Sequence, residues 1–219
     1  MEYVYQLIDF VLHIDVHLKE MVLKYDTYTY LILGLIVYCE TGLVVTPFLP
    51  GDSLLFAAGA LAAAGSLNIV LLIAILFFAA FAGDNTNYAV GNFIGHKILS
   101  AKRKIIKPEY IEKTHAFYER HGGTTVVIAR FMPILRTFAP FVAGLGSMIY
   151  RKFVFYSLLG NVLWIFGITL LGYAFGSHPI VQNNFSLVIL LIIIASVLPM
   201  IIAILKNKLS KVTAKNKIS

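Results

Sequence analysis

Five ionisable residues interrupt sequence that is otherwise nearly free of charge: Glu40, Asp52, Asp84, Arg130 and Arg136. They stand in "YCETG", "LPGDS", "AGDNT", "IARFM" and "ILRTF". A charge in membrane-type sequence is costly and is retained where it functions or is paired. Arginine suits a phosphate, because its planar fork donates two parallel hydrogen bonds. Carboxylates beside it could carry protons, since burial favours the neutral form of a carboxyl. Plainer roles fit the same residues. Asp52 follows Pro-Gly and precedes a helical run, as an N-cap does. The arginines could pair with Glu40 and Asp52 only to hold the chain together. Glu40 could sit in interfacial water, and Asp84 could be a satisfied polar group in helix packing.

The elements that position these residues follow from composition. The chain has 219 residues, 59% hydrophobic and 13% charged, against about 25% charged in ordinary soluble domains. Runs such as Phe153 to Phe175 and Phe185 to Leu205 are charge-free and long enough to cross a core of about 30 Å. The class is an all-α polytopic membrane protein with about four full crossings. The net charge of +7 sits mainly in two blocks: seven Lys/Arg from Lys97 to Arg120, and five Lys after Leu205. Both flank apolar spans, which marks cytoplasmic sides and argues against nucleic acid as partner. No cofactor and no metal site is expected, for His96, His115 and His121 lack ligand spacing. Cys39 is the lone cysteine.

Five regions result. Residues 1–24 carry apolar positions at helical spacing, with Asp9, His13 and Glu20 on other faces, and predict an amphipathic interfacial helix. Residues 28–95 form a first repeat: a span, a re-entrant hairpin over 47–64, and a second span. Residues 96–123 are a basic cytoplasmic loop. Residues 124–205 form a second repeat, with a re-entrant hairpin over 124–149 and two spans. Residues 206–219 are a basic cytoplasmic tail. Pro47, Pro50 and Gly51 turn the first hairpin, and Pro133 and Pro140 interrupt the second. Gly65, Ser66 and Asn68 offer a break in the charge-free run from Ser53 to Gly83, and the arm before it, Ser53 to Ala64, covers only about half the bilayer core.

"FLPGDSLLFAAGAL" and "FMPILRTFAPFVAGLG" resemble each other, and each precedes a span with a GxxxG pair, Gly91–Gly95 and Gly172–Gly176. With both basic blocks inside, the two hairpins approach from opposite faces. That is an inverted repeat of the kind found in transporters. Irregular backbone at membrane depth must be buried in protein or line a wet cavity. The hairpins should therefore meet at the centre and bring the charges together.

The runs "CETGLVVTPFLPGDSLLFAAGALA", "GDNTNYAVG", "HAFYERHGG" and "ARFMPILRTFAPFVAGLG" resemble the DedA family of bacterial inner-membrane proteins, over nearly the whole chain. The resemblance implies roles in envelope integrity and proton motive force, and in some members the return of undecaprenyl phosphate across the membrane. It also implies that the acidic and basic pairs, here Glu40, Asp52, Arg130 and Arg136, are essential; Asp84 fits one subgroup. The expected function is a lipid flippase for undecaprenyl phosphate or another anionic lipid, with protons as a possible co-substrate and a homo-oligomer as a possible state. The alternative is a proton-coupled transporter of small ions or drug cations that maintains membrane potential. An enzyme is not expected: phosphate hydrolysis needs an activated nucleophile and base, and no histidine stands in the arginine-bearing segment. A purely structural partner-binding protein would leave the membrane charges unexplained.

Overall fold

The described chain is helical because a helix satisfies its own backbone, which hydrocarbon cannot do for it. The computed structural model describes residues 14–43, 51–100, 123–146, 148–198 and 202, the side chains of residues 15, 96–100 and 134 excepted. Pro47, Pro50, the amphipathic segment up to residue 13, residues 101–122 of the basic loop and the basic tail lie outside the described residues. In chain order the helices are α1 (Ile14–Tyr25), α2 (Tyr28–Gly42), α3 (Gly51–Ala63), α4 (Ile69–Ser100), α5 (Thr124–Ala129) and α6 (Pro133–Leu145). Then come α7 (Tyr150–Phe175), α8 (Pro179–Asn183) and α9 (Phe185–Leu198).

Two of these, Ile69–Gly95 within α4 and all of α7, are long and apolar enough to cross a membrane. The exterior supports that environment. Leu31, Leu35, Phe78, Phe93, Phe155 and Leu171 are exposed, whereas Glu40, Asp84, Arg130 and Arg136 are buried. Apolar side chains outside and charges inside suit a lipid solvent. Among the described residues the other helices are shorter than full crossings. The 15 residues of α2 extend about 22 Å, less than the hydrocarbon core.

Local sequence accounts for the boundaries. The helix α3 ends in a Schellman motif: Ser66 N–H donates to Leu61 O and Gly65 N–H to Ala62 O. Gly65 takes φ +81°, which only glycine adopts without cost. Asn68 then opens α4, its Oδ1 accepting from Val70 N–H at 3.0 Å and Leu71 N–H at 3.1 Å. The break expected near Gly65, Ser66 and Asn68 is this turn. Pro133 occupies the first turn of α6, where its missing N–H costs nothing. Pro140 behaves otherwise than expected. It lies inside α6, which continues through it to Leu145. The interruption falls upstream at Arg130 to Met132, between α5 and α6. Of the segment expected to form an amphipathic interfacial helix, the described part is α1, whose Ile14 and Leu18 are buried in the core that α3 helps to form.

Two interfaces carry the GxxxG pairs. On α7, a Cβ at Gly172 would strike the Phe56 carbonyl of α3, and one at Gly59 would strike the Thr169 carbonyl in return. On α4, a Cβ at Gly91 would strike the Phe141 carbonyl of α6, and one at Gly144 the Tyr88 carbonyl. Small residues here let backbones approach within contact distance. Gly172→Ala should therefore cost about 1–3 kcal/mol, read as a lower melting temperature in detergent. Gly167, on the same helix, faces open space. Gly167→Ala should leave the melt unchanged or raise it, by about 0.5–1 kcal/mol of helix propensity. Equal behaviour of the two variants would refute the close-approach account.

Candidate functional site

The packing of α2, α3, α4, α6 and α7 brings the five membrane charges together. Glu40 projects from the last turn of α2 and Asp52 from the first turn of α3. Asp84 lies midway along α4. Arg130 sits in the break between α5 and α6, and Arg136 in the first turn of α6. Asn87 ties the frame: its Nδ2 donates to Thr41 O of α2 at 3.0 Å and to Thr137 O of α6 at 2.6 Å.

Arg136 is the bridge of the first cluster. Its Nη2 donates to Glu40 Oε1 and its Nη1 to Asp52 Oδ1, each at 2.6 Å. Asp52 Oδ1 also accepts from Trp164 Nε1 at 2.8 Å, and Oδ2 from Ser196 Oγ at 2.5 Å. The Glu40 carboxylate lies where a side chain at Gly51 would stand. Only glycine at the start of α3 leaves room for it.

Asp84 organises the second cluster. Its Oδ2 accepts from Arg130 Nη2, from Ser157 Oγ at 2.6 Å and from Asn161 Nδ2 at 2.9 Å. Trp164 separates the clusters. The Arg136 guanidinium lies 4.4 Å from its ring centroid and that of Arg130 5.7 Å, both within cation–π range. Trp164 stands in a π-helical turn, Val162–Phe166, within α7. Such turns change the helical phase locally and recur at functional sites.

The arrangement decides some of the plainer readings. Glu40 is 1% exposed, which removes it from interfacial water. The described partners of Asp52 are side chains of α6, α7 and α9. Arginine–carboxylate pairing is real, and it leaves capacity unused. Glu40 Oε2, Asp84 Oδ1, Arg130 Nη1, Arg136 Nε and Asn161 Oδ1 are buried and accept or donate no hydrogen bond. Buried polar atoms are normally satisfied, so these atoms could receive a polar ligand. Among the described residues no three His, Cys, Asp or Glu side chains converge as metal ligands do.

Sequence reading missed Trp164, Ser157, Asn161, Asn87 and Ser196. A signal existed for three of them. Ser157 and Asn161 are a polar i, i+4 pair inside an apolar span, and Trp164 is the chain's single tryptophan.

Comparison with known proteins gives the family. A VTT domain model matches residues 49–174, from just before Asp52 to beyond Trp164. Protein DedA of Escherichia coli K12 is 53% identical over 211 residues, covering 95% of this chain and 96% of that one. The uncharacterized membrane protein Rv0364 of Mycobacterium tuberculosis is 41% identical over 172 residues, 77% and 75% of the two chains. Inner membrane protein YghB of E. coli K12 is 32% identical over 177 residues, 80% and 78%. No solved structure matches. With the domain match covering more than half its length and such identity running nearly end to end, the chain belongs to the DedA family of VTT-domain membrane proteins.

Proposed function

We propose that this protein is a transporter, not an enzyme, that moves undecaprenyl phosphate or a related anionic lipid across the bacterial inner membrane together with protons. One observation carries the reading: Arg136 is gripped by carboxylates from two other helices at the protein's centre and keeps a free Nε. A phosphate offers the same oxygen geometry as those carboxylates, so it can take their place on the guanidinium fork. Glu40 and Asp52 would then be buried charges without a cation, at several kcal/mol each, unless each takes up a proton. Phosphate binding and proton uptake are thereby linked. The arginines replace water around the head group.

The glycine contacts support an inverted repeat as the framework. Phe56 and Gly59 map onto Phe141 and Gly144 by one step along the chain, and Tyr88 and Gly91 map onto Thr169 and Gly172 by another. Each short helix, α3 or α6, packs on the long helix of the other half. At 13 residues each, about 20 Å, they suit re-entrant arms that stop within the core. The names of relatives such as YghB favour the inner membrane.

In weakly buffered detergent solution, adding dodecyl phosphate to the wild type should draw protons from solution as it binds. Glu40→Gln with Asp52→Asn should bind with much less uptake. Binding without proton uptake by the wild type would sink the coupled mechanism.

A second reading has an observation of its own. Three carboxylates face two guanidiniums, and Asp52, at 13%, is the most exposed of the five. That residual negative charge favours a proton-coupled transporter of small ions or drug cations. Cation-dependent proton flux without lipid movement would establish it.

A further inference from the structure

A cleft of about 580 Å³ opens between α3, α7 and α9 and ends at the charged centre. Its volume is that of an ordinary small-molecule site. Its walls are apolar, from Phe56, Ile168, Leu171, Val188, Ile192 and Ala195. Its polar lining is confined to Asp52, Ser196 and the indole of Trp164. Rim residues Phe131, Leu171 and Phe175, also part of the lining, are exposed by 46%, 52% and 55%. An apolar rim on a membrane protein opens onto lipid chains rather than water.

We propose that this cleft holds the hydrocarbon chain of the transported lipid phosphate while its head group is taken by Arg136. The assignment rests on the lipid-phosphate function proposed above. The polarity gradient sets the orientation. A chain lying along Leu171, Ile192 and Ala195 puts its polar end at Asp52 and Ser196. Behind Asp52, one hydrogen bond away, stands Arg136. The Ser196 hydroxyl, which donates to Asp52 Oδ2, joins the wall of the cleft to the site. Chain and head are recognised by adjoining surfaces, so the chain adds affinity that inorganic phosphate lacks.

Trp164 is both a lining residue and the chain's single tryptophan, so its fluorescence reports on the cleft directly. The experiment titrates purified full-length protein in detergent with dibromostearyl phosphate, whose bromines quench indole only on contact. Dibromostearyl alcohol and unbrominated stearyl phosphate serve as controls. Saturable quenching by the brominated phosphate is expected. Ala195→Phe and Val188→Phe narrow the cleft without adding a tryptophan. Each should weaken the apparent affinity by about tenfold, the effect of excluding roughly two methylenes from an apolar pocket. Val188→Phe, about 12 Å along α9 from Ser196, lies beyond a six-carbon chain, so by calorimetry it should weaken hexyl phosphate far less than stearyl phosphate. Unchanged quenching affinity in both variants would overturn the chain site and leave the phosphate site standing. Equal affinity for the alcohol and the phosphate would keep the chain site and remove the phosphate reading. Absence of quenching by either brominated probe would overturn the inference.

Discussion

Arg136→Ala is expected to abolish lipid transport and to lower folding stability by about 3–5 kcal/mol, the usual result of leaving buried charges without their partner. Two carboxylates lose their cation at once, and Arg136 itself is 3% exposed. Arg136→Lys should recover little. An ammonium is one point charge and cannot span Glu40 on one helix and Asp52 on another as the fork does. The triple change Arg136→Ala, Glu40→Gln, Asp52→Asn removes the stranded charges. It should restore most of the melting temperature and none of the transport. That split separates the two roles of the arginine. If transport returned with stability, Arg136 would be a strut between helices and nothing more.

Asp84→Ala should be the other severe change, again about 3–5 kcal/mol. It strands Arg130, which is 2% exposed, and removes the acceptor of both Ser157 and Asn161. Asp84→Asn keeps an acceptor and loses the charge, so it should fall between. The pair Asp84→Ala, Arg130→Ala should be more stable than the sum of the single losses implies. A coupling of about 0.5–3 kcal/mol is typical for residues in contact, and thermal melts of the four proteins measure it. Strict additivity would contradict the ion pair. Asp84 holds Arg130, whose guanidinium lies 5.7 Å from the Trp164 ring centroid.

The charges were legible in the sequence because membrane residues are so rarely ionised that each one stands out. So was the break around Gly65, Ser66 and Asn68, although the capping role of Asn68 shows only in the structure. The partners were not legible. Arg136 meets residues 96 and 84 positions away in the chain, and no local pattern encodes such a meeting. Nor could periodicity pick out Ser196 or Trp164. A helix with protein on one side and lipid on the other is apolar all round and shows no stripe. Pro140 misled because proline usually breaks a helix. Here α6 runs through it, and the irregular backbone falls three residues before Pro133 instead.

The decisive measurement is lipid movement by the purified protein. Undecaprenyl phosphate carrying a head-group reporter is placed in both leaflets of sealed vesicles, and its accessibility from outside is followed with and without a pH gradient. Wild-type protein should expose the inner pool far faster than empty vesicles, with a rate that responds to the gradient. Arg136→Ala should match empty vesicles. Equal movement by wild type and Arg136→Ala would contradict a site in which Arg136 exchanges carboxylates for phosphate.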